Sequence, residues 1–152
     1  MATVLGEEID VLAKAKRAIA GDFVPSDSDP YMSEAQLDYY RRLLQEWKKL
    51  IFSASQDTLQ SLQDGPIREP DLNDRASSET DWGIELRTRD RQRKLITKID
   101  SALRRIEEGE YGYCEVTGEP IGLGRLSARP IATMTVEAQE AHERREKISR
   151  DD

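Results

Sequence analysis

The stretch Leu37-Asp-Tyr-Tyr40-Arg-Arg-Leu-Leu44-Gln-Glu-Trp47-Lys-Lys-Leu-Ile51-Phe-Ser-Ala54-Ser-Gln-Asp-Thr58 decides the fold. Leu37, Tyr40, Leu44, Trp47, Ile51, Ala54 and Thr58 recur by threes and fours, the spacing that lines one side of a helix with an apolar seam. A seam sustained this long calls for a partner helix. Ser33 and Gln36 form the S-x-x-Q capping box of a helix start just upstream. The pattern fades near Leu62, and Gly65-Pro66 followed by Pro70 ends it. Beyond Pro70 a second apolar series runs through Trp82, Leu86, Ile96, Ile99, Leu103 and Ile106 and stops at Gly109. Two long helices joined by a short Gly/Pro turn predict an antiparallel hairpin with the turn as its tip. Arms of about 30 residues, at 1.5 Å each, give a hairpin on the order of 45 Å long.

Composition agrees with such a shape. Of 152 residues, 37% are hydrophobic and 35% charged. That is too lean for one compact core and suits long solvated helices. The net charge of -7 disfavours non-specific nucleic-acid binding, which relies on Lys and Arg against phosphate. No apolar run approaches the roughly 20 residues of a membrane helix. The opening MATVLGEEID carries acids where a signal peptide would carry positive charge, so a cytoplasmic protein with no membrane contact is expected. The single cysteine, Cys114, excludes an internal disulfide and any multi-cysteine metal site.

The expected fold class is mainly α: a long antiparallel coiled-coil hairpin, a small globular zinc-finger-like region and a C-terminal helix. Residues 1–32 form an N-terminal segment expected to pack on the globular part. Within it, Val11, Leu12, Ala15, Ile19 and Ala20 line a helical face that Gly21 stops, and a polar stretch follows from Pro25 to Pro30. Residues 33–108 are the coiled coil, with an acidic tip at 69–76. Residues 109–134, rich in glycine and aromatics, read as turns and two short strands in a degenerate knuckle. Residues 135–152 form the last helix, with Thr135 as its N-cap.

Several residues carry chemistry. Cys114 and Thr117 have the spacing of a C-x-x-C pair, and Thr135 and Ala138 stand where a second pair would follow. Structural zinc needs four ligands drawn from thiolate, imidazole and carboxylate, so zinc is not expected. Asp71 and Asp74 either cap a helix or present an acidic tip. The run from Arg87 to Lys94 interrupts the apolar seam with positive charge, and Arg125 and Arg129 add guanidinium forks of the type that grip oxyanions. With one histidine, His142, and no glycine-rich phosphate loop, no catalytic set emerges and an enzyme is not expected.

Tyr111-Gly-Tyr-Cys-Glu115, Ile121-Gly, Arg125-Leu, Ala128-Arg-Pro130 and Arg145-Glu-Lys resemble the zinc-finger region of the DksA/TraR family. Asp71-x-x-Asp74-Arg-Ala76, Glu85-Leu-Arg-x-Arg-Asp-Arg91 and Arg93-Lys-Leu-Ile96 resemble that family's coiled coil. Tyr31-Met-Ser-Glu-Ala-Gln-Leu37 and Leu44-x-x-Trp47 extend the likeness towards the N-terminus. The resemblance implies a monomeric transcription regulator that binds RNA polymerase and makes no sequence-specific contact with DNA. Its coiled coil would enter the polymerase secondary channel, and with ppGpp it would repress ribosomal RNA promoters and assist amino-acid biosynthesis promoters. Asp71, Asp74 and Ala76 would be the tip residues acting near the polymerase active site. Arg91, Leu95, Lys98 and Arg129 would face polymerase and ppGpp, joined by Arg125 and by Gln139, which stands where a lysine is expected. The metal positions of the family fall on Cys114, Thr117, Thr135 and Ala138, a low-cysteine set expected to fold without zinc. Two alternatives stand beside this reading. One is a transcript-cleavage or anti-stalling factor whose acidic tip recruits Mg²⁺ in the same channel. The other is a plain structural coiled coil.

Overall fold

A computed structural model describes the backbone of residues 4–21, 23–64 and 72–151, and the side chains of 10–21, 23–64 and 79–149. Among the described residues five helices follow in order: α1 (Val4–Ala18), α2 (Glu34–Asp64), α3 (Leu72–Glu108), α4 (Leu123–Ala128) and α5 (Val136–Asp151). The two short strands expected near the knuckle reduce to one antiparallel bridge, Tyr113 to Pro120. Gly118, at φ +76°, turns the chain too tightly there for a ladder to extend.

The capping box that starts α2 is built from both sides. Gln36 donates its amide to Ser33 Oγ at 3.3 Å, and Gln36 Oε1 accepts the amide of Met32 at 2.8 Å. The return bond thus reaches one residue further upstream than the usual box, because the Ser33 amide is already given to Pro30 O. Gln36 is fully buried, and its Nε2 donates to Ser26 O.

The helix pair packs as the seam requires. On α2, Tyr40, Leu43, Leu44, Trp47, Ile51 and Thr58 are buried, and on α3 so are Leu95, Ile99, Ala102 and Ile106. Fully buried side chains such as Leu44 and Ile99 each contribute about 1.5–3 kcal/mol relative to exposure. The seam does not end at the basic run. It continues through polar residues, because most of the cations turn outward: Arg87, Arg91, Arg93 and Lys94 are exposed. Gln92 carries a buried Oε1 with no hydrogen-bond partner. Thr58 and Thr88 satisfy their hydroxyls within their own helices, on Ala54 O and Ile84 O.

Two compact units share these helices: Met1–Ala20 with Gln45–Ile99, and Gly21–Leu44 with Asp100–Asp152. α1 thus groups with the outer parts of α2 and α3, and the segment from Gly21 groups with the start of α2, the end of α3 and the knuckle. In the first unit the antiparallel sense of α2 and α3 is visible where Trp82 Nε1 donates to Leu62 O at 3.3 Å. In the second unit Arg41 and Glu107 are ion-paired at 3.6 Å. This second unit holds all five tyrosines of the chain, Tyr31, Tyr39, Tyr40, Tyr111 and Tyr113. Tyr40 and Tyr111 meet at a ring-centroid distance of 5.6 Å, and the buried Tyr111 hydroxyl donates to Pro130 O at 2.7 Å. Burial raises the Tyr111 phenol well above its ordinary range.

Candidate functional site

The knuckle is assembled by hydrogen bonds between turns. The Cys114 amide donates to Glu119 O, Gly118 N to Cys114 O, and Ile121 N to Gly112 O. Glu115 N reaches Thr133 O at 2.8 Å, which ties the first turn to the segment leading into α5. Thr133 Oγ1 lies 3.3 Å from Glu115 Oε1 and repeats that tie through side chains. The Thr135 hydroxyl accepts the Ala138 amide at 3.2 Å, the N-cap expected for α5.

Cys114, Thr117 and Thr135, three of the four residues at C-x-x-C-like spacing, converge here. Cys114 is 3% exposed. Burial works to raise its thiol, but hydrogen bonds from the Thr117 hydroxyl and from the amides of Thr117, Thr135 and Val116 outweigh it and bring the thiol down to about 6. Thr117 and Thr135 therefore act on this sulfur as hydrogen-bonding neighbours. The donor set does not fit zinc: one sulfur, two neutral hydroxyls and the methyl of Ala138 cannot supply the four basic ligands of a closed tetrahedral site. Among the described residues no group of three or more His, Cys, Asp or Glu is placed to hold a metal ion.

Two residues outside the sequence-derived set hold the knuckle from its flanks. One guanidinium nitrogen of Arg105 donates to Tyr113 O at 2.8 Å and to Glu110 O at 3.1 Å. Tyr31 places its hydroxyl between Gly112 O and Gly122 N. Neither was legible beforehand. Arg105 looks like one more charge on a solvated helix, and Tyr31 is 81 and 91 residues distant from its partners.

The residues expected to meet polymerase and ppGpp fall into two groups. Arg91, Leu95 and Lys98 lie four and three residues apart, on one side of α3. Leu95 belongs to the buried seam at 9% exposure, so Arg91 and Lys98 are the exposed members that flank it. Arg125 and Arg129 are one turn apart in the other unit, at and just after α4. Arg125 is partly buried, its Nε donating to Met134 O at 2.9 Å, whereas Arg129 is exposed. Gln139, in the first turn of α5, donates its side-chain amide to Glu143 at 3.2 Å. The Gln139 backbone amide donates to Thr135 O at 2.9 Å, next to the Met134 carbonyl that Arg125 holds. At the tip, Asp71 lies outside the described residues, and Asp74 and Ala76 lie in the first turns of α3 with side chains outside the description.

Comparison with known proteins follows this two-part layout. Residues 36–106 match the model of the DnaK suppressor protein DksA N-terminal domain, and residues 109–144 that of the prokaryotic dksA/traR C4-type zinc finger. The RNA polymerase-binding transcription factor DksA of Caulobacter vibrioides (strain NA1000 / CB15N) is 61% identical over 131 residues, covering 86% of this chain and 92% of that protein. Its counterpart in Escherichia coli (strain K12) is 41% identical over 132 residues, covering 86% and 87%. The structure of transcription factor DksA2 from Pseudomonas aeruginosa superposes with a TM-score of 0.69 at 39% identity, covering 93% of this chain and 98% of that one. A coiled-coil helix pair, a knuckle that keeps one of four cysteines, and relatives this similar over most of their length have one reading: the chain belongs to the DksA family.

Proposed function

We propose that this protein is a cytoplasmic transcription regulator that binds RNA polymerase and is not itself an enzyme. The observation that carries the reading is the 61% identity, over most of both chains, to a protein named as an RNA polymerase-binding transcription factor. In this account the hairpin enters the polymerase secondary channel and brings Asp71, Asp74 and Ala76 near the active site. ppGpp sits at the contact between the two proteins and strengthens it, lowering ribosomal RNA synthesis and favouring amino-acid biosynthesis promoters. The exposed Arg91, Lys98 and Arg129 supply charge of the right sign for its phosphates, and guanidinium groups give the stronger, forked hydrogen bonds. A ligand that binds only the assembled complex stabilises it by mass action.

Equilibrium binding to purified bacterial RNA polymerase tests this. Wild type binds as a monomer, and ppGpp tightens the complex. Lys98→Ala and Arg129→Ala bind polymerase without ppGpp but lose most of the tightening. Absence of any complex with polymerase would remove the reading. Efficient RNA cleavage in stalled elongation complexes would transfer the tip to the transcript-cleavage class.

A further inference from the structure

In a C4-type finger a metal fastens the turns, and this chain lacks the ligands for one. Something else must hold α4 against the knuckle. Tyr31 comes from the segment before α2, outside both the knuckle and α4. Its hydroxyl uses both of its capacities at once, donating to Gly112 O at 2.6 Å and accepting the Gly122 amide at 2.9 Å. Gly112 and Gly122 are the two ends of the knuckle's first loop, already closed by the bond from Ile121 N to Gly112 O and by the bridge from Tyr113 to Pro120. The Tyr31 ring stands edge-on to Tyr113 at 5.6 Å and 88°.

The seat is built for that one side chain. Gly112 has φ +90°, and a Cβ there would come within 2.6 Å of Met32 Sδ and 3.3 Å of the Tyr31 hydroxyl. Met32 itself sits at φ +55°, the only non-glycine residue with positive φ among those described. A strained backbone of this kind persists only where its surroundings over-determine it. Here the buried Gln36 accepts the Met32 amide, and Met32 Sδ fills the space that glycine leaves at position 112.

What the clasp holds is the start of α4. Gly122 is the residue at the N-cap of that helix, and no side chain caps it. Three residues on, Arg125 holds Met134 O at 2.9 Å, and Thr135 then caps α5. We propose that Tyr31 is a positioning residue: through Gly122 its hydroxyl fixes α4, and so holds Arg125 on Met134 O and sets the exposed Arg129 towards phosphate. The assignment to phosphate rests on the proposed function, while the fixing of α4 does not.

The test is Tyr31→Phe in the full chain, which keeps the ring and deletes the hydroxyl. Amide hydrogen exchange at Ile121, Gly122 and Leu126 is expected to quicken about ten-fold, the scale of one lost hydrogen bond that leaves a donor unpaired. Exchange at Leu43 and Leu44 should stay within about two-fold. The ppGpp concentration for half-maximal effect on polymerase should rise while polymerase affinity without ppGpp holds, a separation that general loss of stability would not produce. Unchanged exchange at Gly122, or equal quickening throughout the chain, overturns the positioning role. If exchange behaves as expected but wild type shows no ppGpp response, the clasp stands and the proposed function fails. Should the variant not fold, wild type alone decides: a slowly exchanging Tyr31 hydroxyl proton, cross-relaxing with the Gly122 amide, is expected by nuclear magnetic resonance. A hydroxyl in free exchange with water overturns the proposal.

Discussion

The Thr135 hydroxyl accepts the Ala138 amide at 3.2 Å, so two positions with the spacing of a C-x-x-C pair are joined here as a helix cap. A neutral hydroxyl does for α5 locally what a metal–thiolate bond would do at longer range. Chelators should therefore leave the fold alone. Far-UV circular dichroism and Tm are expected to be the same with and without excess EDTA, and elemental analysis should find no stoichiometric zinc. Thr135→Ala should cost about 1 kcal/mol, and for a chain of this size that lowers Tm by about 2–4 °C.

Arg125 and Arg129 look alike in the sequence and should separate in experiment. Arg125 Nε is engaged with Met134 O, whereas Arg129 is exposed. Arg125→Ala is expected to lower Tm and to weaken the ppGpp response together. Arg129→Ala should weaken the ppGpp response with Tm unchanged within about 1 °C, since exposed side chains contribute little to stability. Thermal melts paired with ppGpp titrations of polymerase binding decide between them. Equal Tm losses would show that the Arg125 contact is not a clamp.

Gln92 leaves a buried oxygen without a partner in the helix seam. An unsatisfied buried polar group costs on the order of 1–3 kcal/mol. Gln92→Leu should therefore stabilise the helix pair, raising the midpoint of urea unfolding without changing the slope. A drop in the midpoint would mean that the amide has a partner in solution, such as a bound water.

Cys114 should report its surroundings through pH. Its thiol is held at about 6 in the folded chain, against 9.0 for the free group. A folded value below the unfolded one stabilises fully above the unfolded value, and that stability is lost as pH falls through the folded one. Chemical unfolding at pH 9, 7 and 5 should show a decline that Cys114→Ala lacks. Thiolate absorbance near 240 nm should titrate with a midpoint near 6. A midpoint at or above the free-thiol value would mean that burial cancels or outweighs the hydrogen bonds from Thr117, Val116 and Thr135.

Much of this architecture is legible in local sequence. The three-and-four spacing from Leu37 to Thr58 gives the buried face of α2, Ser33 and Gln36 give its start, and Thr135 gives the cap of α5. Each of these is a relation between residues fewer than five apart along a helix. The basic run from Arg87 to Lys94 is less legible. Its charges interrupt the apolar spacing, yet the seam passes through Thr88 and Gln92 while most of the neighbouring cations turn outward. The fastening of the knuckle is not local at all. Tyr31, Arg105 and Arg125 bond to backbone atoms, which leave no complementary residue type in the sequence to be noticed. The positive φ of Met32 is likewise imposed by packing against Gly112, and methionine gives no hint of it.

Transcription from a ribosomal RNA promoter with purified polymerase tests the central claim most directly. Wild type and Asp74→Asn are compared with and without ppGpp, and binding to polymerase is measured alongside. The expected result is repression by wild type that deepens with ppGpp, and loss of repression by Asp74→Asn with polymerase binding intact. A folded wild type that leaves transcription unchanged, or an Asp74→Asn protein that represses as well as wild type, would contradict it.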